Sequence, residues 1–295
     1  MSNVFTRSRE KKRLTAESGP PVSAEIEVKT REKLLPWSSF TALFLLVVTF
    51  FIAFVSGSLY TSIYAFNVHH WTLAQESQWL NNSVAGQFGY SVVVYAIWLL
   101  LFILFIPFYG LLIGKGIKYG RKWRSIFRTI GWVKPKWRDI IYALAGFGVY
   151  FFVFIIASTI IGKIFPGFNP TQQQNVGFQG GAQGSGLVLA FISLVVLPPI
   201  VEETAFRGFL FTGLKKSFPI FWATLITSVL FAAPHLFEGV GGKLLLVGGL
   251  DTFILSFVLV YLRQQTGSLW SSVGLHMLKN GVAFGSLFLF AHVLL

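Results

Sequence analysis

A chain of 295 residues that is 54% hydrophobic, 17% aromatic and only 12% charged is too apolar for a soluble domain of its length, and its composition points to an all-α, polytopic membrane protein. The absence of cysteine excludes disulfides, a thiol nucleophile and any cysteine-based metal site. A net charge of +13 invites a nucleic-acid reading, but the lysines and arginines gather in the N-terminal tail and between Lys115 and Arg138, at the ends of apolar runs. That is the positive-inside pattern of a membrane protein, so no nucleic-acid partner is expected, and the basic segments suit anionic lipid headgroups instead.

Residues 1–37 mix Arg7, Arg9, Lys11, Lys12 and Arg13 with Glu10, Glu17, Glu25 and Glu27 around Gly19-Pro20-Pro21. They read as a disordered cytoplasmic tail with one short helix over 24–35, and not as a cleaved signal peptide. A first span over 38–64 leads to an outer loop carrying His69-His70-Trp71, where solvated histidines beside an interfacial tryptophan are favoured over a metal pair. The second span, 88–113, has Pro107 near its inner end as an expected kink. The basic segment that follows, with Trp123, Trp132 and Trp137 among its charges, reads as an amphipathic stretch lying on the inner membrane surface.

A third span, 140–165, leads to a Gly/Gln-rich stretch over 166–185, expected to be a flexible low-complexity loop. Four further spans are placed at 186–213, 218–236, 244–262 and 268–294. About seven spans with a cytoplasmic N-terminus make an integral, multi-pass protein, in the plasma membrane if the source is bacterial. Three regions result: the tail 1–37, the N-terminal spans 38–185 with their basic loop, and a core over 186–295.

That core holds the ionisable residues expected at membrane depth: Glu202, Glu203, Arg207, His235, Asp251, His276 and Lys279, with Asn280 beside them. A charged side chain at mid-bilayer costs roughly 2.5–3.5 kcal/mol or more, so such residues face a cavity and pair with one another. On a helix, Glu203 and Arg207 are four apart with the glutamate N-terminal, the favourable order for an ion pair. Glu202 is rotated about 100° away and left free for chemistry. His276 and Asn280 are also four apart and present two donors on one face.

Counting about 1.5 Å per residue from the cytoplasmic ends puts Glu202 about 20 Å deep, His235 about 25 Å and His276 about 12 Å, so a common site requires tilt. Pro198 and Pro199 free backbone carbonyls in the same span, tolerable only where protein or water meets them. Asp251 reads as structural, bonding within the Gly-rich outer turn, with Lys279 as its alternative partner. His292 is given no role. The chemistry suggested is hydrolysis: a desolvated carboxylate is a stronger general base, and a histidine with an amide supplies oxyanion donors.

Glu202-Glu203-x-x-x-Arg207, Phe231-x-x-x-His235 and His276-x-x-x-Asn280, in that order on apolar helices, resemble the three motifs of the CAAX protease and bacteriocin-processing (CPBP/Abi) family of intramembrane endopeptidases. The resemblance runs over about 187–295. It implies that Glu202 and His235 activate a water, that His276 and Asn280 stabilise the oxyanion, and that Glu203 and Arg207 support the site. It makes 186–295 the catalytic core and implies as substrate a CAAX-like protein, prenylated or not, or a small peptide. No cofactor is expected. Zinc on Glu202, His235 and His276 is the alternative, disfavoured because no His-Glu-x-x-His is present. Two other classes compete: a non-catalytic bacteriocin-immunity or assembly protein, against which the intact Glu202, His235, His276 and Asn280 set argues, and a proton-coupled transporter, against which the lack of an inverted repeat argues.

Overall fold

The computed structural model describes residues 37–112, 123–178 and 182–289. The expected tail up to residue 36, its short helix and His292 lie outside the described residues. The described chain is all-α: α1 (Ser39–Ile63), α2 (Leu73–Asn82), α3 (Val84–Leu112), α4 (Trp123–Ile130), α5 (Trp137–Ile164), α6 (Ser185–Leu214), α7 (Ile220–His235), α8 (Leu246–Thr266) and α9 (Leu269–Phe284). Five of these, α1, α3, α5, α6 and α8, are long and apolar enough to cross a membrane, while α7 is a shorter apolar helix. The seventh expected span is α9, which continues as a π-helical turn over Gly285–Leu289. Helix α3 runs through Pro107 to Leu112.

With no hydrophobic contrast between lipid and leucine, membrane helices associate where small residues let backbones approach. The buried face of α1 follows that rule: Ser39, Ala42, Leu46, Thr49, Ala53, Gly57 and Thr61, while Phe40, Phe44, Phe51 and Phe54 are exposed on the opposite side. The buried stripe meets α3, where Trp98 donates from Nε1 to the Thr49 hydroxyl at 3.1 Å. A Cβ on Gly57 would sit 2.5 Å from Val94 and 2.7 Å from the Tyr90 ring. In the connection to α2, His69 stacks on Trp71 at a 4.4 Å centroid distance, so this histidine serves an aromatic cluster with Tyr64 and Trp79.

The basic segment contains the expected amphipathic helix. Of it, residues 113–122 lie outside the described residues, but α4 is amphipathic with its apolar side turned into the protein: Ile126 and Ile130 are buried while Arg128 is exposed. Gly208 of α6 lets the Ile130 carbonyl approach, and the end of α4 with the chain just beyond it is stitched to α8 and α9. Arg263 donates to the Thr129 carbonyl at 2.7 Å, the Leu269 amide to Gly131 at 2.9 Å, and the Trp270 indole to Val133 at 2.8 Å. Helix α4 and the chain after it thus cap one end of the core.

The Gly/Gln-rich loop departs from its expectation. Where its residues are described, it is strapped across the turn between α7 and α8. Gln172 donates to the Leu244 carbonyl at 2.8 Å, Gln174 to the Glu238 carboxylate at 2.6 Å, and the Asn175 amide to the Glu238 carbonyl at 2.7 Å; Gln174 and Gly239 form an antiparallel bridge. Phe178 donates its amide to Gln87 of α3 and buries its ring with Ala182, Ala190, Val195 and Phe284. Low complexity concealed a run of amide side chains suited to tying down carbonyls and a carboxylate.

Replacing Gly57 by valine is expected to overpack the α1–α3 contact and cost about 1–3 kcal/mol, read as a lowered thermal midpoint in detergent. Gly148→Ala, whose Cβ would meet nothing within 4 Å, is the matched control and is expected to leave the midpoint unchanged or raised.

Candidate active site

The site is built first on a broken helix. Pro198 and Pro199 have no N–H, so the carbonyls of Leu194 and Val195, four residues earlier, lose their helical donors. The backbone answers by widening: Ile192–Val196 is π-helical, and the Leu197 amide reaches back to the Ile192 carbonyl. The Leu194 carbonyl receives a donor from another helix, the Asn280 amide of α9, at 3.0 Å. Asn280 therefore fastens α9 to the break in α6, and one hydrogen of its amide remains for other use. A second π segment, Thr204–Leu210, carries Arg207 and is buried at every residue. No proline announces it.

Between the two π segments α6 presents both glutamates. Glu203 is fully buried, and its Oε1 accepts from two sides: from Arg207 Nη1 at 2.9 Å and from His276 Nδ1 at 3.0 Å. The expected ion pair is present, and it extends across to α9. Glu202 does not join it. Its Oε2 lies 3.9 Å from His276 Nε2, and its Oε1 faces the Tyr95 hydroxyl of α3 at 3.5 Å. The imidazole of His276 thus stands between the two carboxylates, which brings Glu202, Glu203, Arg207 and His276 together in spite of the shallow depth counted for His276.

His235 ends α7, where Pro234 opens the last turn. Its Nδ1 faces the Phe231 carbonyl at 2.9 Å; since a carbonyl only accepts, Nδ1 carries the proton and Nε2 is the acceptor of the neutral ring. Phe231 links His235 to the rest. Its ring centroid is 5.3 Å from that of His235 and 5.7 Å from that of His276, and the Arg207 guanidinium lies 4.2 Å over its face. A cation over an aromatic face is a stabilising contact for an arginine that has left water. The sequence motif contains Phe231, but sequence reasoning gave it no role.

Two further residues were missed. Tyr95 comes from a span without a single Asp, Glu, His, Lys or Arg. Glu238, three residues past His235 and held by Gln174, acts electrostatically on Glu202, Tyr95 and His235. Its position beside His235 at a span end was the signal available. Asp251 does not bond within the Gly-rich turn: it pairs with Lys279 at 2.9 Å and accepts from the Tyr150 hydroxyl of α5.

Among the described residues no group of three His, Cys, Asp or Glu side chains converges as a metal site, and His276 has already committed Nδ1 to Glu203. Removing Arg207 alone would strand the Glu203 charge in the core. Arg207→Ala is expected to cost about 3–5 kcal/mol, whereas the neutral pair Glu203→Gln with Arg207→Met recovers part of the loss, both read as thermal midpoints in detergent.

Residues 184–282 match the family model described as type II CAAX prenyl endopeptidase Rce1-like. The matched segment runs from the start of α6 into α9 and contains Glu202, Glu203, Arg207, Phe231, His235, His276 and Asn280, while Tyr95 and Tyr150 lie outside it. No curated protein and no solved structure gave a match. Residues 184–282 therefore carry an Rce1-like domain, the domain of the type II CAAX prenyl endopeptidases, a family of peptide hydrolases, here on helices apolar enough to span a membrane.

Proposed function

We propose that the protein is an intramembrane endopeptidase that cleaves near the C-terminus of a CAAX-like, prenylated protein, using Glu202 and His235 to activate water and no metal. The observation that carries this reading is the placement of His276 between the two glutamates, 3.0 Å from Glu203 and 3.9 Å from Glu202. It leaves Glu202 outside the Glu203–Arg207 ion pair, beside an imidazole and partly open, with 13% of its side chain exposed.

In the reaction Glu202 takes a proton from water, with the acceptor Nε2 of His235 orienting that water. The water oxygen bonds to the peptide carbonyl carbon, and the carbonyl electron pair moves onto oxygen. His276 and the second amide hydrogen of Asn280 stabilise that oxyanion. Because Nδ1 of His276 faces Glu203, Nε2 donates only as the second N–H of an imidazolium, whose charge meets Glu203 on one side and the developing oxyanion on the other. When the tetrahedral carbon collapses, the C–N bond breaks and the proton on Glu202 passes to the leaving amine. Glu203 and Arg207 hold His276 in place, and Tyr95 holds Glu202.

The basic N-terminal tail and basic segment support a cytoplasmic N-terminus, and a plasma-membrane location if the source is bacterial. The 186–295 region serves as the catalytic core, with membrane lipids as its surroundings.

The test is cleavage of a farnesylated CAAX-type peptide by the full chain in detergent. Glu202→Gln is expected to lower kcat by about 10²–10⁴-fold, and a chelator to leave the wild-type rate unchanged; chelator-sensitive turnover overturns the metal-free mechanism. Tyr95→Phe, which keeps the ring and deletes the hydroxyl, is expected to reduce kcat by about three- to tenfold with KM unchanged, the loss of about one hydrogen bond.

A further inference from the structure

Lys279 is the residue of α9 to which the hydrolysis gives no task. It lies one residue before Asn280 and three after His276, so its side chain leaves the helix about 60° around from that of His276. Its charge acts electrostatically on Glu202, His235 and His276, and on α9 it stands within one turn of His276 and next to Asn280.

A substrate bearing a negative charge would meet Glu202 and Glu238 here. Two cations act on Glu202. Arg207 is fully buried, with Nη1 on Glu203 and its face on Phe231. Lys279 is 17% exposed. Its ammonium has three donors in a fan, of which one points to Asp251 at 2.9 Å. Asp251 is itself anchored by the Tyr150 hydroxyl from α5, so the pair is held from behind and the lysine remains in place when a second anion arrives.

We propose that Lys279 recognises a carboxylate of the substrate, the C-terminal carboxylate first among them, and so sets how far from the chain end the bond is cut. This inference rests on the peptide-hydrolase reading of the site. Asp251 and Tyr150 position the ammonium; Lys279 makes the contact. A substrate carboxylate shares the lysine with Asp251, and of the two cations that act on Glu202 it is Lys279 that is partly exposed.

The experiment measures equilibrium binding of a fluorescent farnesylated heptapeptide, ending in cysteine, two aliphatic residues and serine, to full-length Glu202→Gln protein in detergent. Three peptides are compared: the free acid, the C-terminal amide, and the amide with glutamate as the last residue. The free acid is expected to bind about tenfold more tightly than the plain amide, the scale of one charge-assisted hydrogen bond. Adding Lys279→Gln is expected to bring that ratio close to one, Lys279→Arg to preserve it, and Asp251→Asn, which releases the lysine, to widen it. Recovery of tight binding by the glutamate amide supports the assignment and moves the carboxylate to a side chain; no recovery supports it and places the carboxylate at the chain end. Equal binding of acid and amide overturns the proposal, as does a tenfold ratio that survives Lys279→Gln. Cleavage that survives Glu202→Gln would sink the catalytic reading instead, and the acid-to-amide ratio would then be read from KM.

Discussion

One oxygen atom organises the core. Glu203 Oε1 takes a hydrogen bond from Arg207 within its own helix and another from His276 of α9, all at full or near-full burial. An ionised carboxylate away from water demands partners, and the cost of leaving it alone far exceeds the net gain of the pair itself. That asymmetry makes the contact an instrument of geometry more than of stability. It obliges α9 to sit at one rotation and one height against α6, and it fixes which nitrogen of His276 is turned towards Glu202.

The second constraint is backbone chemistry at membrane depth. The proline pair removes two donors from α6 where no water is at hand to replace them. The helix widens to re-pair one end, and Asn280 supplies the Leu194 carbonyl from outside. Asn280 therefore works for the fold as well as for the chemistry assigned to it. The same two helices are thus joined twice, by charge at Glu203 and by an amide at Leu194, on either side of Glu202. A base held between two such fasteners is pre-positioned before any substrate arrives.

Much of this was legible in the chain. The Glu203–Arg207 pair follows from helical spacing alone, and the proline pair marks the break. The pairing of Lys279 with Asp251 was legible only as the alternative to a bond within the Gly-rich turn. What the sequence concealed is tertiary. Nothing in the spacing of Glu203 and His276, seventy-three positions apart, says that they meet, and counting residues from the ends of spans set His276 shallower than Glu202, whose carboxylate lies 3.9 Å from its ring. Tyr95 is one aromatic among many in an apolar span, and only packing against α6 distinguishes it. The π segment over Thr204–Leu210 has no proline to mark it. The loop at 172–178 reads as low complexity because glutamine carries no periodic signal, yet its amides are the groups that bind the α7–α8 turn.

The hydroxyls of Tyr95 and Tyr150 carry a consequence for what counts as the enzyme. The stretch shared with the endopeptidase family is contiguous in sequence, but its carboxylates at Glu202 and Asp251 take hydroxyl partners from α3 and α5. Phe178, which closes the far side of the same core, is hung from Gln87. The matched hundred residues are therefore a unit of descent and not a unit of structure. Cut free of the helices before it, the segment would keep every motif and lose the neighbours that hold two of its charges still. Chimeras between relatives must trade those helices together with the motifs, as one inheritance.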